Sequence, residues 1–262
     1  METTASRDGT HIAYERSGDG PPLVLVHGAT ADHTRWQPAR APLEEHFTLY
    51  AVDRRGRGAS GDADAYALER EFEDVAAVVN AIDESVNLLG HSYGALCSLE
   101  ASLRTDNLRR LILYEPPIPV RGHQLLSEEA LVRMKASIAE GDKERALIVF
   151  LSDVAHIPAA QMDVLRAAPN WPARVDVAAR TIVREAQAPP NYDFQPKRFA
   201  EMTTPTLLLS GSESPRFMAD ATRAVDEALP DSRIMILEGQ DHVAMNTAPD
   251  LFVQAVVDFL TG

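Results

Sequence analysis

The chain has 262 residues, a formal net charge of −14 at pH 7 and a hydrophobic content of 45%. This length suits one large α/β domain, or a domain with a sizeable insertion, and the acidic balance argues against nucleic acid or an anionic membrane surface as a partner. A single cysteine excludes an intrachain disulfide, no apolar run approaches the ~18 residues of a membrane span, and the polar N-terminal segment lacks a signal-peptide core, so we expect a cytoplasmic protein.

The first elements are predicted to be strands. Residues 2–16 form a hairpin turned by Asp8-Gly9, and the apolar run Leu23–Val26 is typical of a strand buried on both faces. That run ends in His27-Gly28-Ala29, and the loops at the carboxyl ends of parallel strands build the sites of doubly wound sheets. Since Gly28 lets the next amide point into a pocket, the Ala29 N–H is a candidate oxyanion donor, with an ordinary strand-to-helix turn as the alternative.

A loop rich in glycine and arginine, residues 53–61, follows the next predicted strand, Thr48–Val52. The loop could cradle a phosphate, but it lacks the Gly-Lys-Ser/Thr ending of a P-loop and the spacing of a dinucleotide fingerprint. We therefore expect a structural role, in which Asp53 pairs with the neighbouring arginines. Residues 69–83 then form an amphipathic helix with acidic side chains in its opening turns, where negative charge favours the helix dipole.

The central motif is Gly90-His91-Ser92-Tyr93-Gly94, which follows the apolar run Val86–Leu89 and precedes a helical segment. A strand, a sharp turn and a helix are the context of a G-x-S-x-G nucleophile elbow, whose serine stands on a strained turn above the sheet. Glycine at both ends lets the strand and the helix approach closely. Ser92 is thus the predicted nucleophile and the Tyr93 N–H the second oxyanion donor; a plain serine in a glycine-rich turn is the alternative.

The series of predicted strands is interrupted after Leu111–Tyr114, which is followed by Glu115-Pro116-Pro117. Residues 117–204 contain no strand-like run but several short helical patterns, punctuated by prolines at positions 158, 172, 189, 190 and 196. We expect this segment to be a helical cap inserted into an α/β core formed by residues 1–116 and 205–262. A cap of this kind would exclude water and shape a substrate pocket.

Two strands and two helices complete the predicted core, with the last strand at Ile234–Leu237. His242 lies in the loop that follows, at the same edge of the sheet as the elbow, and no other histidine occurs in the C-terminal third. Because a serine hydroxyl needs a base within hydrogen-bonding reach, His242 is the predicted general base. The alternative is a surface histidine paired with Asp241.

This arrangement resembles the α/β-hydrolase superfamily, in its capped, esterase- and lipase-like branch, over the whole chain. The motifs that carry the resemblance are His27-Gly28, Asp53-x-Arg55-Gly56-x-Gly58-x-Ser60, the elbow, Gly211-x-x-x and Gly239-x-x-His242. The resemblance implies an α/β fold with a doubly wound, mostly parallel sheet and a helical cap. It also implies a triad of serine, histidine and an acid, with no cofactor and no metal.

The acid of that triad is ambiguous in the sequence. In most relatives the glycine of the penultimate-strand loop is followed three residues later by the catalytic aspartate, but here Ser214 stands in that place. Glu213 is one residue away and is one substitute. Glu115 is the other, and it is favoured because several of the haloalkane dehalogenases, which resemble this stretch, place their acid at the end of the same strand. A strand-end charge that faces solvent is the remaining interpretation of Glu115.

Ser92, where dehalogenases and epoxide hydrolases carry aspartate, implies acyl transfer to a serine oxygen. The predicted function is a serine hydrolase that acts on a small-molecule carboxylic ester or lactone, with neither nucleic acid nor a membrane as partner and with the oligomeric state left open. The same triad would also serve a perhydrolase, a cofactor-free haloperoxidase, or a hydrolase of amide or C–C bonds. A binding protein that senses a small molecule in a hydrolase pocket is the alternative from another class.

Overall fold

The computed structural model describes residues 1–157, 159–168 and 170–262, so Pro158, one of the prolines predicted to punctuate the cap, lies outside the described residues. Backbone contacts divide the chain into two compact units. The sheet unit comprises Met1–Gly28, Asp32–Ile118 and Phe194–Gly262, and the helical unit comprises Ala29–Ala31 and Pro119–Asp193.

The strands of the described chain all belong to the sheet unit. They are β1 (Glu2–Ala5), β2 (His11–Ser17), β3 (Pro22–Val26), β4 (Thr48–Val52), β5 (Val86–His91), β6 (Leu108–Tyr114), β7 (Thr206–Gly211) and β8 (Ser232–Leu237). They form one sheet in the order β1-β2-β4-β3-β5-β6-β7-β8. The pairs β1–β2 and β2–β4 are antiparallel and all later pairs are parallel. The predicted doubly wound, mostly parallel α/β sheet is confirmed.

Eleven α-helices occur in the described ranges. They are α1 (Gln37–Glu44), α2 (Leu68–Asn80), α3 (Tyr93–Ala101), α4 (Glu128–Ala139), α5 (Lys143–Val149), α6 (Ala159–Ala167), α7 (Trp171–Ala179), α8 (Ile182–Gln187), α9 (Arg216–Asp226), α10 (Ala244–Thr247) and α11 (Pro249–Thr261). None of these helices combines the length and the apolar character that crossing a membrane requires.

Helices cover both faces of the sheet because a central strand, β3, is apolar and buried at every position. Leu23 and Leu25 of β3 pack into a core with α1 and α11. Val24 and Val26 are equally buried, and they point to the opposite face, where α2 and α3 contact β3. With both faces occupied, the carboxyl ends of the parallel strands are where this unit can present polar groups.

The helical unit has a core of its own, formed by α4 to α8 together with the π-helical turns Phe150–Val154. The short loop Ala29–Ala31 belongs to this unit through Thr30, whose backbone is in the left-handed region at φ 58°. The Thr30 N–H donates to Glu185 Oε2 (3.4 Å), and Arg174 Nη2 donates to Thr30 Oγ1 (3.1 Å). The residues that follow β3 are therefore fixed by side chains of helices α7 and α8.

Candidate active site

The turn between β5 and α3 places Ser92 in a backbone conformation that L-residues seldom adopt. Its φ is 54° and its ψ is −123°, and the side chain is half-buried. A Cβ at Gly90 would lie 2.6 Å from the Ala95 Cα, and one at Gly94 would lie 2.3 Å from the Val26 carbonyl oxygen. Glycine at these two positions is therefore a steric requirement, and the close approach that it allows produces the strained turn.

The structure places Glu115 and His242 side by side. Glu115 directly follows β6, also with a positive φ of 48°, and its Oε2 lies 2.5 Å from the His242 Nδ1. The other carboxylate oxygen, Oε1, accepts hydrogen bonds from the Gly211 N–H (2.8 Å) and the Ser210 hydroxyl (3.2 Å). Each oxygen of this buried carboxylate thus has a donor, as a buried charge requires.

The protonation states of this pair follow from its surroundings. Burial raises the pKa of Glu115, but its interactions with His242, together with smaller contributions that include the Gly211 N–H, outweigh burial, and the pKa lies below its ordinary value. An ionised carboxylate only accepts, so the proton between the two side chains belongs to the His242 Nδ1. In the neutral imidazole, Nε2 is then left as a base.

The loop that carries His242 is held by residues of β5 and β6. The His91 ring lies 4.6 Å from the His242 ring, centroid to centroid, and its Nε2 donates to the His242 carbonyl (2.8 Å). The Tyr114 hydroxyl donates to the Asp241 carbonyl and accepts from the Ala244 N–H (3.2 Å). Burial, followed by the proximity of His242, holds the pKa of His91 well below its ordinary value, so His91 is a neutral donor.

Ser92 directly follows His91, whose ring lies against the His242 imidazole. Within the residues that the structure describes, the Ser92 hydroxyl makes no side-chain hydrogen bond, and neither does the His242 Nε2. Bonds of this kind are often long in enzymes without substrate and tighten when substrate binds. The arrangement therefore leaves a hydroxyl and a basic nitrogen available beside the elbow.

The other candidate acid lies elsewhere. Glu213 is exposed to solvent, and its Oε1 accepts a hydrogen bond from the Ser212 hydroxyl (3.4 Å). Ser214, which stands where most relatives carry their acid, contributes a hydroxyl and no charge. Asp241, the partner of the surface alternative for His242, accepts from the Val243 N–H (3.1 Å). Glu115 is the carboxylate that the His242 ring contacts.

The loop after β3 lies directly against the elbow. A Cβ at Gly28 would be 3.0 Å from the Ser92 Cβ and 3.1 Å from the His91 Nδ1, so a larger residue would push the loop away. The next amide along the chain is that of Ala29, the first predicted oxyanion donor. The second, Tyr93, opens α3, and N–H groups in the first turn of a helix have no acceptor within it.

The loop at residues 53–61 is held by hydrogen bonds both within the loop and to the residues around it. Asp53 accepts hydrogen bonds from the His33 Nδ1 (2.8 Å) and the Ala59 N–H (2.9 Å). The short side chain of Asp53 is turned toward its own loop: a Cβ added at Gly58 would overlap its carboxylate. Asp53 therefore braces the loop and joins it to His33.

Two of the three arginines of this loop reach helix α2. Arg54 donates to both oxygens of Glu71 (3.0 and 2.9 Å), and Arg55 donates to both oxygens of Asp74 (2.6 and 2.7 Å). Glu71 and Asp74 are three residues apart, so they lie on one face of the helix. The acidic side chains in the opening turns of this helix were the sequence signal for these pairs. Two of those carboxylates are buried and bind guanidinium groups, in addition to any interaction with the helix dipole.

In the described ranges no three His, Cys, Asp or Glu side chains are grouped so that they could hold a metal ion.

Comparisons with known proteins agree with this fold. Residues 23–255 match the model of the alpha/beta hydrolase family. A curated 2-(acetamidomethylene)succinate hydrolase from Mesorhizobium japonicum is 25% identical over 261 residues, which cover 95% of this chain and 91% of that protein. Among solved structures, an alpha/beta hydrolase from Sphaerobacter thermophilus is 35% identical with a TM-score of 0.87, covering 99% of this chain and 100% of that one. An esterase from Rhodococcus sp. ECU1013 is 25% identical with a TM-score of 0.78, covering 100% and 98%.

Proposed function

Because the chain belongs to the alpha/beta hydrolase family, we propose that it is a cofactor-free serine hydrolase that cleaves a carboxylic ester or lactone of a small molecule. The observation that carries the proposal is the contact of 2.5 Å between the His242 Nδ1 and the buried Glu115, next to an elbow that bears Ser92. The similar esterase from Rhodococcus supports ester cleavage as the reaction.

In this proposal, acylation begins when the Ser92 Oγ attacks the substrate carbonyl while the His242 Nε2 takes its proton. The carbonyl π electrons move to oxygen, and the Ala29 and Tyr93 N–H groups hold the resulting oxyanion. Ionised Glu115 stabilises the imidazolium. When the tetrahedral intermediate collapses, the bond to the leaving oxygen breaks, and the imidazolium returns its proton to that oxygen as the alcohol departs.

Deacylation repeats the same steps with water as the nucleophile. His242 removes a proton from water, the hydroxide oxygen adds to the acyl carbon, and the bond to the Ser92 Oγ then breaks. The serine oxygen regains a proton from the imidazolium and the acid is released. The helical segment predicted at residues 117–204 takes the role of the cap in this proposal, excluding water and shaping the pocket that selects the substrate.

Ser92→Ala tests the proposal most directly, with Ser212→Ala as the control at an exposed serine. We expect the Ser92 variant to lose turnover of p-nitrophenyl acetate by about 10³-fold or more, since triad members are worth this much or more. A fluorophosphonate should label the unaltered chain and Ser212→Ala, but not Ser92→Ala. Ester turnover that survives in Ser92→Ala would contradict the mechanism.

A second candidate reaction is hydrolysis of a small amide. Two curated relatives, at 25% and 24% identity, are named as hydrolases of 2-(acetamidomethylene)succinate and (E)-2-((N-methylformamido)methylene)succinate. Both of these named compounds contain an amide group. A panel of matched esters, lactones and N-acyl enamides, assayed by release of the free acid, separates the two candidates by the ratio of their kcat/KM values.

The same experiments address the non-catalytic alternative. A chain that binds small molecules without turning them over would be labelled slowly or not at all by a fluorophosphonate, since a serine without an activating base is a weak nucleophile. Rapid labelling confined to Ser92, together with turnover of any member of the panel, contradicts that alternative.

A further inference from the structure

The guanidinium of Arg54 is almost completely buried just beyond the end of β4. Two of its nitrogens, Nε and Nη2, donate to the Glu71 carboxylate. The third nitrogen, Nη1, donates to the Gly28 carbonyl (3.2 Å). Burying an ion pair costs desolvation free energy that a pair of apolar side chains would not cost, so such a pair is weak evidence for stability alone. Its contact with Gly28 points to a role beyond holding the loop.

The Gly28 carbonyl belongs to the same peptide group as the Ala29 N–H. No peptide bond of the described chain is cis, and in a planar trans peptide the C=O and the N–H point in opposite directions. A side chain that holds the carbonyl therefore sets the direction of the N–H. Since hydrogen bonds to a carbonyl also polarise its amide, the same contact strengthens the N–H as a donor.

Arg54 acts on that carbonyl a second time through His27. The Arg54 backbone N–H donates to the His27 Nε2 (3.1 Å), so the ring proton of His27 is on Nδ1, which donates to the Gly28 carbonyl (2.8 Å). Burial, then the neighbouring Arg54 charge, lowers the pKa of His27 to about 3, which keeps this ring neutral and in one tautomer. The carbonyl is thus held by two donors, and both depend on Arg54.

Arg54 also contacts the residue that supplies the other amide. Its guanidinium carbon lies 4.2 Å from the centroid of the Tyr93 ring. The Tyr93 hydroxyl is hydrogen-bonded to the Tyr66 hydroxyl (2.5 Å), which donates to Glu71 Oε1 (3.2 Å). The first residue of α3 is therefore held at its ring face by Arg54 and at its hydroxyl end by a chain that leads to the carboxylate paired with Arg54.

We propose that Arg54 is a positioning residue that aligns both amides of the oxyanion hole, Ala29 through the Gly28 carbonyl and Tyr93 through its ring. The inference rests on the proposed function and adds to it a determinant of transition-state stabilisation that does not touch substrate. Effective acylation would then require the buried guanidinium of Arg54 in addition to the serine, the histidine and the acid.

Arg54→Lys tests the proposal, with Arg55→Lys as the matched control. The control removes an equally buried guanidinium that is paired with Asp74 and contacts neither Gly28 nor Tyr93 by any bond described above. Lysine keeps the positive charge but loses the planar fork and the stacking face. Loss of a whole oxyanion donor costs about 10²–10³-fold in kcat, so we expect misalignment in Arg54→Lys to lower kcat about 10- to 100-fold.

Two readouts separate alignment from a merely structural role. The value of kcat for p-nitrophenyl acetate is normalised to the amount of Ser92 that a fluorophosphonate titrates, and KM is expected to stay within about two- to threefold because the ground state is bound as before. The inhibition constant of phenylboronic acid, which forms a tetrahedral adduct with the serine, should rise by the factor by which kcat/KM falls. Partial misfolding would reduce the titrated sites and leave both quantities unchanged.

Glu71→Gln provides a second variant that retains Arg54 but weakens its anchoring, and we expect the same changes on a smaller scale. The proposal is overturned if normalised kcat and the boronate inhibition constant of Arg54→Lys equal those of Arg55→Lys, or, where Arg54→Lys does not fold, if Glu71→Gln leaves both unchanged. Either result leaves the proposed function standing, provided that Ser92 is labelled and the unaltered chain turns over ester. If the unaltered chain shows neither labelling of Ser92 nor turnover of ester, the proposed function itself is overturned.

Discussion

Several charged side chains of the sheet unit are buried against a partner, whereas ion pairs on the surface of the helical unit are open to solvent. In the sheet unit, Glu115, Glu71 and Asp74 are buried, and each faces a specific cationic or imidazole partner. In the helical unit, the pair Lys143–Asp176 has side chains that are 52% and 65% exposed. Arg133–Asp153 is likewise open to solvent, with 45% and 30% exposure.

This contrast separates charges that determine geometry from charges that keep a surface hydrated. A buried charge pays a desolvation cost of several kcal/mol unless every oxygen or nitrogen is bonded, so it tolerates one arrangement only. A solvated pair contributes about 0–1 kcal/mol and can be rearranged without consequence. The candidate chemistry therefore lies with the buried charges of the sheet unit, and the surface of the helical unit is where substitutions should be tolerated.

The largest expected effect comes from removing the buried carboxylate next to His242. Glu115→Gln should lower kcat/KM for an ester about 10³–10⁴-fold, because a neutral amide neither fixes the imidazole tautomer nor stabilises the imidazolium. Glu213→Gln, at an exposed carboxylate of the same unit, should change it less than about twofold. If Glu213→Gln lowered kcat/KM more than Glu115→Gln, Glu213 would be the acid, and burial of a carboxylate would not indicate a catalytic role.

The next effect concerns stability and compares the units directly. Asp74→Asn removes the charge that faces Arg55 in the interior, and breaking a buried pair costs about 3–5 kcal/mol. Asp176→Asn removes the charge that faces Lys143 at the surface and should cost less than about 1 kcal/mol. Urea unfolding of both variants measures the difference, and equal midpoints would show that the contrast in exposure has no energetic meaning.

The smallest expected effect, counted per pH unit, is the pH dependence of stability that His27 imposes. Its pKa is lowered from 6.5 to about 3 by burial and by Arg54, so the unfolded chain binds more protons than the folded one between those values. Its contribution to stability is thus fully present above pH 6.5 and is lost as the pH falls toward 3, at about 1.4 kcal/mol per pH unit. His27→Gln should flatten the plot of unfolding free energy against pH by that slope, and an unchanged slope would contradict the neutral buried ring.

Much of the sheet could be predicted from the sequence, because β3 and the strands that follow it are short apolar runs with turn residues at their ends. The elbow was predictable for a related reason: Gly90 and Gly94 are required by backbone contacts on either side of Ser92, so the pattern has a steric cause. Helix α1 escaped prediction because Pro38 and Pro42 interrupt its pattern, although both are accommodated in the helix.

The pairings among charged residues could not be predicted, since they depend on distances across the fold. Asp53 is adjacent to two arginines in the sequence, and its carboxylate accepts from the His33 ring and the Ala59 N–H. Those two arginines, Arg54 and Arg55, reach Glu71 and Asp74 on α2. Likewise, the sequence left Glu115 and Glu213 as rival acids. Only the direction of the chain after β6, where Glu115 adopts a positive φ, shows which of them contacts His242.

The position of Glu115 at the end of β6 has a practical consequence for anyone who scans genomes for enzymes of this kind. A search template that demands an aspartate three residues after Gly211 would meet Ser214 and discard the chain as a degenerate pseudoenzyme. A template written in three dimensions, which accepts any carboxylate that reaches the imidazole from a neighbouring strand, would retain it. Chains that motif filters have rejected for want of an acid merit a second screening by that criterion.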